Sequence, residues 1–201
     1  MKGKYWPDHL ALGYIEIDGV QHSLEHLKPF CYVVHIEEQG KAETPIQVTV
    51  EFSSHCVTKG PRTGELIDFS QAGFAPLVID QRRNWRKFLP ARYTASTVLP
   101  EIMRTLSQRS CFFASERNYL TLEMNEVIPG YPEGTQYEIY FNVKQRGNLS
   151  VHVYVESAYV RDPCSGSDPY RFRKEDRING WRLLLNRGTG RAVRRPPSRR
   201  R

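Results

Sequence analysis

Between residues 119 and 159 apolar and polar side chains alternate with period two, in runs broken by turn residues. A β-strand places successive side chains on opposite faces, so this stretch is predicted to be antiparallel sheet. Four strands are expected in it and just before it: Cys111–Ala114, Tyr119–Met124, Tyr137–Val143 and Leu149–Tyr159. Their turns are Glu116-Arg117-Asn118, a Pro/Gly loop at 129–134, and Arg146-Gly147-Asn148. Ahead of this meander, Val98, Leu99, Ile102, Met103 and Leu106 share a helical face. That spacing predicts one main helix at about 97–108, capped by Ser96 or Thr97, with Pro100 tolerated in its first turn.

The alternation also sorts the faces of the meander. Leu120, Leu122, Met124, Ile139, Phe141, Val143, Val151, Val153 and Val155 are expected to pack on the helix. Tyr119, Thr121, Glu123, Glu138, Tyr140, Asn142, His152, Tyr154 and Glu156 are expected on a wet opposite face.

Upstream, Tyr14–Asp18 alternates, Asp18-Gly19 signals a type I′ turn, and Val20–Ser23 is the return strand. Phe30–Ile36 and Ile46–Phe52 read as two consecutive antiparallel strands. The chain is therefore expected to be α+β with a mainly antiparallel sheet. One domain, 1–187, would contain N-terminal strands (12–58), a long irregular loop (59–95), helix plus meander (96–162) and a terminal element (170–187). Within the loop, Leu77–Asp80 is a short strand or turn, and in the terminal element Trp181–Leu185 suits strand or helix equally. Residues 188–201 are Gly, Pro, Ser and Arg with little to bury, and are expected to be a disordered basic tail.

Charge constrains the partners. The formal charge is +7, but residues 182–201 hold eight arginines and no acid, so the rest of the chain carries −1. The high pI is thus no argument for a basic groove on the fold. Arg194, Arg195, Arg199, Arg200 and Arg201 are expected to meet a polyanion, either nucleic acid or an acidic protein. No run approaches the roughly 20 apolar residues of a membrane span. Residues 1–8 lack the apolar core of a signal peptide, so a cytoplasmic location with Cys31, Cys56, Cys111 and Cys164 reduced is expected.

Two segments carry chemistry. In Phe52-Ser53-Ser54-His55-Cys56-Val57-Thr58, His55 suits proton transfer near neutral pH, and the Thr58 hydroxyl can orient a phosphate or a water. The bland alternative is a strand-end histidine bonded to a carbonyl. Residues 81–93 hold five cations (Arg82, Arg83, Arg86, Lys87, Arg92) and three aromatics (Trp85, Phe88, Tyr93) without an acid. Cations neutralise phosphates, and Trp85 and Tyr93 can stack on unpaired bases. Zinc is not expected: His22, His26, His35, His55, Cys31 and Cys56 match no zinc spacing. No Walker loop, dinucleotide fingerprint, G-x-S-x-G or H-E-x-x-H occurs, and no cofactor is expected.

His26-Leu-Lys-Pro-Phe30, Phe52–Thr58, Arg92-Tyr93 before Leu99-Pro100, Tyr140-Phe-Asn-Val143 and Val155-Glu-Ser-Ala-Tyr159 stand in an order that resembles short proteins of bacteria and their mobile elements. More loosely, a helix leading into a four-stranded antiparallel sheet resembles the fold of the barnase, EndoU, colicin and RelE-type ribonucleases. That resemblance implies metal-independent RNA cleavage, a possible toxin role and an antitoxin partner. Under it, His55 would be base or acid, Arg83 or Arg92 the phosphate clamp, and Thr58 and Tyr93 hydrogen-bond donors. The alternative is a non-catalytic adaptor whose arginine tail captures an acidic partner, with a metal hydrolase behind both.

Overall fold

A computed structural model describes residues 5–61, 77–115, 118–123, 127–160 and 174–195, without side chains for Leu120, Leu122 and Glu123. The protein is α+β. Among the described residues a seven-stranded sheet runs in the order β12-β8-β9-β10-β11-β4-β3. Its strands are β3 (Phe30–Ile36), β4 (Thr44–Phe52), β8 (Ser110–Phe113), β9 (Asn118–Glu123), β10 (Tyr137–Gly147), β11 (Ser150–Val160) and β12 (Arg177–Asn179). Every pairing is antiparallel except β11 with β4, which is parallel and joins the N-terminal strands to the C-terminal ones.

Ile46, Val48, Val50 and Phe52 of β4 line up with Val151, Val153 and Val155 of β11 and with Ile139, Phe141 and Val143 of β10, all buried. Helix α4 (Gly180–Gly188) contributes buried Leu183, Leu184 and Leu185 to the same core. The ambiguous Trp181–Leu185 is thus helix, with the short strand β12 just before it. The hairpin of β1 (Tyr14–Ile17) and β2 (Val20–Ser23) forms around Asp18 and Gly19 with φ of 51° and 77°, as a type I′ turn needs.

Four expectations change. The single helix at 97–108 is broken: α2 (Pro90–Ser96) and α3 (Leu99–Arg104) are separate, with a 3₁₀ turn at Leu106–Gln108. Pro90 and Pro100 each sit in a first turn, where a missing N–H costs nothing, and so start two helices rather than one. Thr97 ends α2 instead of capping its successor. Of the five residues the spacing picks out, Leu99, Ile102, Met103 and Leu106 are nevertheless buried and Val98 packs partly buried against the core.

The second change is in the long loop. Its residues 62–76 lie outside the described residues, but around them β5 (Thr58–Lys59), β6 (Leu77–Ile79) and β7 (Trp85–Phe88) form a three-stranded antiparallel sheet. Of these, β6 is the short strand or turn expected at Leu77–Asp80, while β5 and β7 are too short for alternation to reveal. Helix α1 (Trp6–Leu12) was equally hidden; Pro7 starts it, and fully buried Trp6 donates its indole N–H to the Phe52 carbonyl at 3.3 Å.

The third change concerns faces. Cross-strand partners share a face, and Tyr119 and Thr121 stand opposite Phe141 and Ile139. Both are therefore buried in the core instead of lying on a wet surface. The other face is itself largely dry at Glu138 and Asn142. Tyr140 donates to Glu138 at 2.8 Å and stacks on Tyr159, while Glu156 accepts from Asn118 and Asn142 at 2.8 and 2.9 Å. Alternation yields two sets per strand; only register says which sets meet.

Fourth, part of the tail is docked. The Leu149 N–H donates to the Gly188 carbonyl at 2.9 Å, and Arg195 makes a two-pronged bond to buried Asp176 at 2.7 and 2.6 Å. Fork-to-fork pairing of this kind is strong enough to hold a polar segment that composition alone marks as free. Arg195→Ala is expected to cost about 1–2 kcal/mol, half-exposure of the guanidinium keeping it below the full price of a buried charge. An unchanged denaturation midpoint would show that residues 189–195 are undocked in solution. Arg199, Arg200 and Arg201 lie outside the described residues, as do Cys164 and Met124.

A histidine–aspartate candidate active site

Strand β4 keeps its parallel pairing with β11 as far as Ser53, whose N–H donates to the Val155 carbonyl at 2.9 Å. There the chain turns. The Ser53 hydroxyl accepts from the His55 N–H at 3.1 Å, capping a 3₁₀ turn at Ser54–Cys56. Thr58, fully buried, donates its hydroxyl to the Ser54 carbonyl at 2.8 Å and accepts from Arg86 Nε at 2.8 Å. Arg92 closes the turn from α2 by donating to the carbonyls of His55 (3.0 Å) and Thr58 (2.7 Å). Its guanidinium also lies 4.9 Å from the centre of the Tyr159 ring.

The imidazole that this turn presents meets a carboxylate from the small sheet. His55 Nε2 lies 3.4 Å from Asp80 Oδ2. Asp80 is 2 % exposed and sits at the head of the turn between β6 and β7. Its Oδ1 accepts from the backbone N–H groups of Arg82 and Asn84 at 2.8 and 2.9 Å, and its Oδ2 from the Asn84 amide at 3.3 Å. Burial pushes the Asp80 pKa up, but the bonds from Asn84, His55 and Arg82 outweigh it and leave the carboxyl below its ordinary range. Asp80 is therefore ionised at neutral pH and can only accept. A hydrogen on His55 Nε2 satisfies it, which leaves the lone pair on Nδ1.

His55 is held below its ordinary pKa, first by burial and then by the Arg86 charge, against the opposing pull of Asp80. One third of its side chain is exposed, so a solute can reach the ring. Arg86 comes close enough to Gly60 that a Cβ there would stand 2.7 Å from its Nη1, so the glycine makes room for the guanidinium. Burial lowers the Arg86 pKa to about 10, still cationic at neutral pH. Arg82 is a further cation acting on the imidazole. Cys56, wholly buried with its thiol pushed up to about 12, is no nucleophile.

The structure redistributes the residues that the sequence singles out. His55, Thr58 and Arg92 come together, but Thr58 and Arg92 are spent on building the turn. Arg83 lies over the Tyr5 ring at 4.9 Å. Tyr93 donates to the Ser23 carbonyl at 3.1 Å and packs among His22, His26 and Phe88. Trp85 and Lys87 are strand residues of β7, Trp85 opposite Ile79 and Lys87 between Lys59 and Leu77. Among the described residues no three His, Cys, Asp or Glu side chains gather as a metal would need, and no helix is long and apolar enough to cross a membrane.

Asp80 is the residue that sequence reasoning missed. Its only signal is the segment Asp80-Gln-Arg-Arg-Asn84, an aspartate placed to cap a turn, and nothing in it points 25 residues back to His55.

No curated protein and no solved structure matches the chain. Strand β4 with the turn that presents His55, and the β6–β7 turn that presents Asp80, fall within residues 14–187, the span matched by the model of the YjaZ family, and the chain belongs to that family.

Proposed function

We propose that this protein cleaves RNA without a metal, with His55 as general base, as a toxin carried by a bacterial mobile element and acting in the cytoplasm. The observation that carries the reading is the reachable imidazole paired through Nε2 with a buried, ionised Asp80 and flanked by Arg86. Such a carboxylate orients the ring and stabilises the imidazolium that forms when Nδ1 takes a proton. In the proposed step Nδ1 removes the proton of a ribose 2′-hydroxyl and the 2′-oxygen attacks the adjacent phosphorus. The bond to the 5′-oxygen breaks, and that oxygen takes a proton from solvent. Arg86 and Arg82 supply positive charge beside the phosphate as negative charge builds there.

The test is incubation of RNA with folded protein in buffer free of divalent ions. Cleavage leaving 2′,3′-cyclic ends is expected, and intact RNA abandons the reading. A base must be neutral to act, so kcat/KM should rise with pH around a midpoint below 6.5, the ordinary histidine value, because burial and Arg86 depress His55. Arg86→Met removes a depressing charge and should raise that midpoint; Asp80→Asn removes a raising one and should lower it. Midpoints that ignore both substitutions would assign the titration to another group.

A further inference from the structure

The far edge of the large sheet carries a second concentration of charge. Lys174, Arg177, Arg182 and Arg194 line an open groove of about 570 Å³, within the span usual for ligand sites, and no acidic residue joins them in lining it. Asn179 and Asn186 contribute amides, and Phe113, Ile178 and Val193 an apolar floor. All four cations are exposed, and among the described residues none of them has an ion-pair partner. Of the two neighbouring acids, Asp176 is turned inward and held by Arg195, and Glu175 is exposed but does not line the groove. That pair also fixes the course of residues 192–194, which form one wall. The charge of the C-terminal region is thus partly built into the fold. β12 and β4 stand five places apart in the sheet, about 24 Å at the usual strand spacing, so the groove is separate from the His55 turn.

We propose that this groove is a phosphate-binding track that holds a single strand of RNA away from the cleavage site. It rests on the reading of RNA as the ligand of this protein, but not on its cleavage at His55. Arginine forks match phosphate oxygens, and the track offers several in sequence. An acidic peptide would use the cations equally well. The asparagine amides and apolar floor favour RNA, since they suit the edges and faces of bases.

The experiment is binding of a labelled single-stranded oligouridylate to the full chain carrying His55→Ala, so that the RNA stays intact, across a salt series. Polyglutamate and a nucleoside triphosphate serve as competitors. Arg177→Ala/Arg182→Ala should leave the melting temperature unchanged and make the slope of log affinity against log salt shallower by about 1.4, at about 0.7 per lost phosphate contact on a single strand. Arg195→Ala should weaken binding too, by releasing the wall. An unchanged slope in the double variant overturns the proposal. So does polyglutamate or the triphosphate binding more tightly than RNA through the same arginines, which would assign the groove to an acidic protein or a free nucleotide. Cleavage by wild type with an unchanged slope leaves the His55 reading standing and sinks this one; the opposite pair of results does the reverse.

Discussion

Gly180→Ala is expected to destabilise the protein by about 3 kcal/mol or more, and to leave little folded material at 37 °C. Gly180 opens α4 and donates its N–H to the Arg109 carbonyl at 2.8 Å. A Cβ built there would stand 1.8 Å from the Leu106 carbonyl oxygen, 2.9 Å from its carbon and 3.2 Å from the Arg109 carbonyl oxygen. These are backbone atoms, so no change of rotamer relieves the clash. The helix must move off the Leu106–Gln108 turn, taking Leu183, Leu184 and Leu185 with it. Gly147→Ala is the control. Gly147 is free of positive φ and its nearest contact would be Ser150 Cβ at 4.0 Å, so the change should be close to neutral. Equal midpoints for the two variants in chemical denaturation would show that α4 does not dock on the turn in this way.

His55→Ala should lower RNA cleavage by roughly 100-fold or more, the scale of losing a general base. Its cost in stability should stay within about 1–2 kcal/mol. Asp80 keeps its bonds from the Arg82 and Asn84 backbone and from the Asn84 amide, so the buried carboxylate stays satisfied after the imidazole has gone. Asp80→Ala separates the two roles from the other side. It removes the acceptor of two turn N–H groups as well as the orienting group, and should lose both stability and rate. If His55→Ala instead unfolds the protein, or leaves the rate unchanged, the imidazole is a structural strand-end group.

Several features could be read without tertiary contacts because they are written within a few residues. Period two over Ile46–Phe52 and Ile139–Val143 reports strands, since no other backbone puts alternate side chains on one face. Asp18-Gly19 reports its own turn, because both residues must take positive φ. The buried stripe Leu99, Ile102, Met103 and Leu106 survives the division of its helix, because burial follows spacing while the helix boundary follows proline. His55 stands out for a similar reason, being a titratable side chain at the end of an alternating strand.

What decided the rest is distance along the chain. The sequence by itself determined an α+β protein, its main strands and a histidine where one of them ends. Only the tertiary structure decided that Tyr119 is core and that β4 runs parallel to β11, since register between strands depends on partners dozens of residues apart. Only it brought Asp80 and Arg86 to His55 while sending Arg83 to Tyr5 and Tyr93 to Ser23. Five cations in one run look equivalent in sequence. The turn holds Arg83 at φ 66° over Tyr5, the short strand β7 directs Arg86 to Thr58, and helix α2 carries Arg92 to the carbonyls of His55 and Thr58.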